Sequence, residues 1–108
     1  MTDEQTVVRM WSGVVRTADT DAYAGYVEQT GMAAYRETPG NLDARLLTRD
    51  LGDGRTEVTT VSRWTSLDVI RGFAGDDPEQ AVFYPEDDRY LLERDLRVRH
   101  YRQAGGPA

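Results

Sequence analysis

Three strand-like segments of this sequence each carry a residue of a type that is common in catalytic pockets. Trp11 lies in the first, Trp64 in the third and His100 in the fourth. Directly opposed side chains on neighbouring strands lie about 5 Å apart, so the three rings meet if they share one face of a sheet. The pattern predicts a pocket with tryptophan walls, in which His100 is a general base or a polar anchor. The alternative is that both tryptophans are core or dimer packing and that His100 is an ordinary strand residue.

Arg9 and a set of tyrosines add polar groups to this predicted pocket. Arg9 precedes Trp11 by two residues and therefore shares its face of the strand. A guanidinium at that place can hold an anionic or enolic oxygen by charge-assisted hydrogen bonds, or pair with a carboxylate across a dimer. Tyrosines of the first helix can aim phenols into the same pocket or pack in the core, and they are Tyr23, Tyr26 and Tyr35.

Other familiar chemistries lack their residues in this chain. Cysteine is absent and His100 is the single histidine, which excludes disulfides, thiolate zinc sites, cysteine nucleophiles and multi-histidine metal sites within one chain. Neither a G-x-x-x-x-G-K phosphate loop nor a G-x-S-x-G nucleophile motif occurs. The acidic clusters at 76–77 and 86–88 are typical of helix-start charges and solvated loops. We therefore expect no metal and no cofactor.

Composition restricts the partners. The 108 residues include 19 acidic and 13 basic side chains, which gives a formal net charge of −6. An acidic balance argues against a sequence-independent nucleic-acid binder, which needs a cationic surface. The sequence contains no apolar run long enough to span a membrane, and its first residues do not resemble a secretory signal. We expect a small cytoplasmic protein that binds neither nucleic acid nor membrane.

The elements that position these side chains follow from hydrophobic periodicity and from turn residues. The segment 6–17 is apolar on both faces, which predicts a central strand, and the loop 52–54 joins two strand-like runs as in a hairpin. Ser66 has the position of a helix N-cap. Gly25 and Gly31 each weaken the first helix by about 1 kcal/mol relative to alanine. In chain order we predict a strand at 6–17, a helix at 20–34, strands at 42–51 and 55–65, a helix from Ser66, short helical stretches at 81–84 and 89–92, and a closing strand at 96–102.

This order, β-α-β-β-α-β, predicts an α+β protein of ferredoxin-like topology with a four-stranded antiparallel sheet. In that arrangement the first strand is central, with the third on one side and the fourth on the other. The helices cover one face of the sheet, and a second copy is the expected cover for the other face, so we predict a homodimer through the sheet. We expect residues 1–102 to form one domain and residues 103–108 to form a flexible tail.

The sequence resembles the antibiotic biosynthesis monooxygenase-like family over roughly residues 7–102. The longest matching stretch runs from the third strand into the second helix, VTTVSRWTSLDVIRGFAGDDPEQAV. The resemblance implies a dimeric α/β barrel of ferredoxin-like topology. Further matching features are Arg9-x-Trp11-x-Gly13, Pro39-Gly40, Trp64-x-Ser66, Phe73-Ala74-Gly75 and His100-Tyr101.

The resemblance also assigns positions to known chemistry. The family's pocket tryptophan falls on Trp64, and the asparagine of its polyketide oxygenases falls on Thr60, which has a hydroxyl but no amide. A tyrosine of those oxygenases falls near Ile70, where no phenol is present. The haem degraders of the family use a histidine in the second helix, and this sequence has none there.

Together, residues and resemblance predict a small cofactor-free enzyme of secondary metabolism. Its expected activity is oxygenation of a phenolic or enolic, polyketide-like aromatic substrate, whose anion transfers an electron to dioxygen. In this prediction His100 is the base, Arg9 the partner of the anion and Thr60 a hydrogen-bond donor. The predicted substrate-binding residues are Trp11, Trp64, Tyr26 and Tyr35. The alternatives are a cofactor-free cyclase or isomerase of the same fold, or a non-catalytic dimer that binds a small ligand or haem.

Overall fold

The computed structural model describes residues 5–107, in which one antiparallel sheet of five strands is covered by helices on one face. The spatial order is β2-β3-β1, and both β4 and β5 pair with the free side of β1. This confirms the α+β ferredoxin-like class and the central first strand, although the sheet has five strands where we predicted four. The strands are β1 Val7–Arg16, β2 Asn41–Gly52, β3 Arg55–Trp64, β4 Glu93–Arg94 and β5 Arg99–Arg102.

The first helical region is longer than predicted and is interrupted by one π-helical turn. After a 3-10 turn at Thr17–Asp19, α1 spans Thr20–Val27, the π turn spans Glu28–Met32 and α2 spans Ala33–Glu37. The predicted end at residue 34 was therefore three residues too early. No helix in the described part of the chain is long and apolar enough to cross a membrane.

The two remaining helices are short. The helix α3 spans Leu67–Ala74, and its predicted N-cap is confirmed because the Ser66 hydroxyl accepts from the Val69 amide at 3.4 Å. The helix α4 spans Asp87–Tyr90, two residues before the predicted stretch at 89–92.

The closing strand is divided because its first half pairs elsewhere. The Ala81 amide donates to the Leu96 carbonyl and the Val98 amide donates to the Glu79 carbonyl, which makes a small antiparallel bridge between residues 79–81 and 96–98. Only the last four residues of the predicted strand, Arg99–Arg102, pair with β1. The prediction of one continuous strand over 96–102 was wrong at its beginning.

We predicted a short helix at 81–84, and this prediction was wrong. The same bridge explains why these residues are not helical. The backbone pairing at Ala81 is followed by residues 82–84, which have no regular secondary structure. Pro85 follows Tyr84, and a proline disfavours the helical conformation of the residue before it. The stretch is a wall of the interior instead of a helix.

The core lies between the helices and the inward face of the sheet. Alternate residues of β3 point into this core, since Val58, Thr60, Ser62 and Trp64 are all buried. The opposite face, which we call the open face, is not covered by any of residues 5–107. It carries Val8, Met10, Leu47, Val61 and Tyr101, of which Leu47 and Tyr101 are about half exposed at 51% and 50%.

Alanine substitutions at two glycines should change the stability of the fold in opposite directions. Gly25 lies on the exposed side of α1 with nothing near its missing Cβ, so Gly25→Ala should raise the free energy of unfolding by about 0.5–1 kcal/mol. Gly40 has φ +96° and a Cβ there would meet the Val69 side chain at 2.6 Å. Gly40→Ala should therefore lower the same quantity by about 1–3 kcal/mol. Urea denaturation measures both, and equal effects of one sign would contradict the described packing.

A candidate anion-binding cavity between the sheet and the helices

An internal cavity of about 40 Å³ lies between the sheet, the first helical region and the segment that follows α3. This volume holds a few water molecules, whereas a drug-sized ligand needs about 300 Å³ or more. A substrate with an aromatic ring therefore requires outward movement of one wall. The cavity is lined by Arg9, Trp11, Tyr23, Val27, Thr30, Gly31, Tyr35, Thr60, Phe73, Val82, Phe83, Tyr84, Asp87 and Val98.

The strand register places the three predicted rings on one face of the sheet. Residues opposite each other in antiparallel strands share a face. Arg9 lies opposite Ser62 on one side and His100 on the other. Trp11 lies opposite Thr60, and Trp64 is on the same face at the end of β3. Arg9, Trp11, Thr60 and Tyr35 line the cavity, whereas Trp64, His100 and Tyr26 do not.

Trp64 lies behind the cavity wall. It is fully buried, its indole N–H donates to the Ser62 hydroxyl at 2.9 Å, and its ring packs edge-on against Tyr35 with ring centroids 5.8 Å apart. Tyr35 in turn packs against Phe73 at 4.6 Å. The tryptophan predicted as a wall therefore supports the tyrosine that forms the wall.

Tyr26 fastens the segment before α4. Its phenol oxygen accepts from the Glu86 amide at 3.0 Å, and its ring lies beside those of Tyr23 and Tyr90. Trp11, by contrast, reaches the cavity with its polar atom satisfied, since its indole N–H donates to the Asp95 carbonyl at 2.8 Å. Its ring faces the edge of Phe83.

The Arg9 guanidinium is the central charged group of the cavity. Arg9 is only 1% exposed. Nη1 donates to the Pro78 carbonyl and lies 3.0 Å from His100 Nε2, and Nη2 donates to the Gln80 carbonyl at 3.0 Å. The guanidinium carbon lies 5.6 Å from the centre of the Phe73 ring, a cation–π distance. These neutral groups hold the cation in place but do not neutralise it.

Two buried polar atoms beside the cavity have no hydrogen-bond partner among the described residues. They are Arg9 Nε and the Thr60 hydroxyl oxygen. Within residues 5–107, no carboxylate lies within salt-bridge distance of Arg9. A buried unpaired donor and a buried unpaired charge are both unfavourable unless a further group meets them. Each of the two atoms can donate a hydrogen bond to an anionic oxygen in the cavity.

His100 faces the back of this guanidinium instead of the cavity. An arginine only donates, so Nε2 of His100 accepts the hydrogen bond and the ring proton belongs on Nδ1. Burial and the Arg9 charge lower the His100 pKa to about 4, while Glu79 acts in the opposite direction. The neutral imidazole therefore positions Arg9, and it does not reach the cavity as a general base must. Its outer side borders a separate groove of about 700 Å³ between α3 and β5.

Asp87 and Tyr23 form a polar pair in the cavity that our sequence analysis did not identify. We interpreted residues 86–88 as solvated loop, yet Asp87 is 5% exposed and lines the cavity. The Tyr23 hydroxyl donates to Oδ1 of Asp87 at 2.9 Å, and the Tyr84 amide donates to Oδ2 at 2.7 Å. Burial, followed by the negative charge of Asp87, raises the pKa of Tyr23 far above its usual value. The available signal was Tyr23 itself, at the start of the aromatic stripe on the first helix.

The segment from Pro78 to Asp87, which we call the wall segment, forms one side of the cavity and is fastened at both ends. Arg9 holds its beginning through the two carbonyls, and Tyr23 and Tyr26 hold its end. The π turn faces its middle, where a Cβ added at Gly31 would lie 3.7 Å from the Tyr84 ring. Enlargement of the cavity must therefore break contacts of this segment.

The low pKa of His100 gives a pH test of its burial. The unfolded chain takes up a proton near pH 6.5 and the folded chain only near pH 4, so stability must fall as pH decreases from about 6.5 to about 4. We expect urea denaturation of the unmodified protein to show lower stability at pH 5 than at pH 7. His100→Gln keeps an acceptor for Arg9 but does not titrate, so it should lose less over this interval. An equal loss in both proteins would contradict the described environment of His100.

Comparison with known proteins supports the fold. No protein-family model matches the sequence, and no curated protein matches it significantly. A solved Bacillus cereus protein assigned to the antibiotic biosynthesis monooxygenases superposes with a TM-score of 0.68 at 15% identity, over 96% of this chain and 98% of that one. The haem degrader MhuD from Mycobacterium tuberculosis, solved with two haems in its active site, gives 0.56 at 17% identity over 94% and 99%.

A third solved structure is SnoaB, a cofactor-independent oxygenase from Streptomyces nogalater. It gives a TM-score of 0.51 at 16% identity, over 97% of this chain and 96% of that one. Identities this low establish a shared architecture and carry no information on shared substrates. The chain therefore has the fold of the antibiotic biosynthesis monooxygenase-like proteins, as the resemblance of its sequence implied.

Proposed function

We propose that this protein is a small cofactor-free oxygenase that acts on a phenolic or enolic, polyketide-like substrate. The observation that carries the proposal is the pair of unpartnered atoms, Arg9 Nε and the Thr60 hydroxyl, at one cavity. Both are donors to an oxygen anion, and one of them belongs to a buried cation. An enolate or phenolate oxygen has the charge and lone pairs that such a site lacks.

The cavity supplies what oxygenation without a cofactor needs. A phenolate or enolate gives one electron to dioxygen, and the resulting radical pair combines to a peroxide. Loss of water then leaves a carbonyl group, so a CH₂ group and O₂ become C=O and H₂O. Arg9 and Thr60 stabilise the anion that begins this sequence, and aromatic walls exclude water that would solvate it; the walls are Trp11, Tyr35, Phe73 and Phe83.

Three of the residues predicted for the site have supporting roles in this proposal. His100 keeps the Arg9 guanidinium in position from behind, and Trp64 supports Tyr35. Tyr26 holds the wall segment through Glu86. The proposed enzyme acts in secondary metabolism in the cytoplasm, in line with the expectation from its sequence.

Thr60 offers a direct test because its hydroxyl has no structural partner. Thr60→Val should lower kcat/KM by about 10²-fold, the usual effect of losing one oxyanion donor. Its stability should stay equal or rise, since a buried unpaired hydroxyl disappears. The measurement is oxygen uptake with 1,3-dihydroxynaphthalene, a bicyclic enolisable phenol, together with urea denaturation.

Thr59→Val is the matched control for this test. Thr59 is the neighbouring residue on the open face, where its hydroxyl bonds that of Ser12 at 2.8 Å. Its replacement should leave oxygen uptake unchanged and lower stability by about 0.5–1.5 kcal/mol. Equal activity of both variants and the unmodified protein would overturn the assignment of the anion site.

The alternative of a cofactor-free cyclase or isomerase uses the same anion site. An enolate stabilised by Arg9 and Thr60 also serves ring closure or proton migration. Consumption of dioxygen distinguishes the alternatives, because turnover without oxygen uptake identifies the cyclase or isomerase.

A haem-binding function does not fit the described side chains. His100 is the single histidine, it lies outside the cavity, and its Nε2 accepts a hydrogen bond from Arg9. A haem needs an axial ligand that reaches the iron, and no histidine lines the cavity among the described residues. A haem titration that gave a sharp Soret band lost in His100→Gln would contradict this conclusion.

We propose further that the protein is a homodimer through the open face. Apolar side chains occupy the middle of that face, and ion pairs such as Arg63–Asp43 and Arg49–Glu57 lie toward β2. An apolar centre with a polar rim is the usual anatomy of a protein interface. The dimer also protects the large exposed side chains of Leu47 and Tyr101.

Val61 lies opposite Met10 near the middle of the open face and tests the dimer. Val61→Lys should convert the dimer to a monomer in size-exclusion chromatography with light scattering, because a lysine charge would be buried at the interface centre. Leu96→Lys is the control, since Leu96 is exposed at 68% beside the divided closing strand. A monomeric unmodified protein, or a dimer that tolerates Val61→Lys, would contradict this interface.

A further inference from the structure

Asp87 is a second buried charge in the cavity, of opposite sign to Arg9. It is 5% exposed, and no basic side chain within residues 5–107 lies within salt-bridge distance of it. Each of its oxygens accepts one hydrogen bond, from Tyr23 and from the Tyr84 amide. A carboxylate has about four acceptor positions, so lone pairs remain for a ligand.

We propose that Asp87 accepts the proton that the substrate loses and that Tyr23 is the positioning residue that holds this carboxylate. The proposal rests on the function proposed above, to which it adds the missing base. It also restricts the substrate: the acidic O–H or C–H group that faces Asp87 must be conjugated with the oxygen that faces Arg9 and Thr60, so that the negative charge can reach that oxygen.

The pair has a defined direction of proton donation. Burial and the neighbouring carboxylate raise the pKa of Tyr23 and keep the proton on its hydroxyl, so Tyr23 donates to Asp87 and does not take the substrate proton itself. The Tyr84 amide fixes the second oxygen from the backbone. Asp87 is therefore held in one orientation by two donors that cannot accept its proton under ordinary conditions.

The proton transfer balances the charges of the cavity. The substrate O–H or C–H bond breaks, its proton forms an O–H bond with Asp87, and the electron pair remains on the substrate as the enolate or phenolate. The negative charge thereby moves from Asp87 to an oxygen that Arg9 Nε and Thr60 can meet. When the later peroxide breaks down, the Asp87 proton combines with the departing hydroxide as water, which restores the carboxylate.

Asp87→Asn tests the base with little change in shape. The amide oxygen can accept from the Tyr84 amide and the NH₂ group can donate to the Tyr23 oxygen. Both hydrogen bonds at this position can therefore still form in the variant. With 1,3-dihydroxynaphthalene, kcat for oxygen uptake at neutral pH should fall by about 10²- to 10⁴-fold. It should recover as pH rises through the pKa of the substrate, which then arrives already ionised.

Asp88→Asn is the matched control next in the chain. Asp88 is exposed and pairs with Arg94 at 2.6 Å, outside the cavity. Its replacement should leave kcat and its pH profile unchanged. Tyr23→Phe removes one donor from Asp87, so the carboxylate is no longer held in one orientation and kcat should fall with KM little changed. A purely structural role of Tyr23 would lower stability without lowering kcat.

The ionisation state of a bound phenol tests Asp87 as the proton acceptor without any reaction with oxygen. 4-Nitrophenol, added below its own pKa, should bind as the yellow phenolate in the unmodified protein and as the colourless phenol in Asp87→Asn. An unmodified protein that ionises the probe but consumes no oxygen supports the base and contradicts the proposed oxygenase. Three results would overturn the role of Asp87. The first is full oxygen uptake by Asp87→Asn at neutral pH, and the second is a loss of oxygen uptake in this variant that high pH does not restore. The third is failure of the unmodified protein to bind or ionise the probe.

Discussion

The buried guanidinium of Arg9 is the interaction on which the rest of this structure depends. Because no carboxylate among the described residues neutralises it, the surroundings must supply neutral acceptors, and they come from three separate parts of the chain. The Pro78 and Gln80 carbonyls, the His100 imidazole and the Phe73 ring all orient toward it. The same charge contributes to keeping His100 neutral and makes the cavity attractive to anions. One arginine thus determines the path of the wall segment and the chemistry of the site.

The sheet and its inward face were accessible from the sequence because they depend on local patterns. Alternation in β1 predicted that Arg9 and Trp11 share a face, and the same period of two places Thr60 and Trp64 on one face of β3. The Gly-Asp-Gly loop at 52–54 predicted the hairpin that aligns β2 with β3. In each case a period of two residues together with a turn leaves few alternatives. The resemblance to a family agreed with this topology.

The conformation of residues 76–98 could not be predicted from the sequence because it depends on contacts with residues that are distant in the chain. We predicted a short helix at 81–84, yet these residues follow the pairing of 79–81 with 96–98 and have no regular secondary structure. Asp87 has two acidic neighbours and looks solvated in sequence, but Tyr23, which precedes it by 64 positions, draws it inward. The placement of His100 behind Arg9 also required the register of β5 on β1. Each of these contacts joins residues that are far apart in the chain, so the residues around one partner do not identify the other.

The separation of the two buried charges accounts for how so small a chain can carry out the proposed chemistry without a cofactor. An Arg9–Asp87 salt bridge would neutralise both groups and leave nothing for a substrate. Instead, Arg9 binds the beginning of the wall segment and Asp87 is bound at its end, so the fold keeps them apart. A weakly acidic substrate bridges them by giving its proton to one and its negative charge to the other. The unfavourable burial of two unpaired charges in the free protein is then relieved only when an ionisable ligand is present, which makes ionisation of the substrate part of binding.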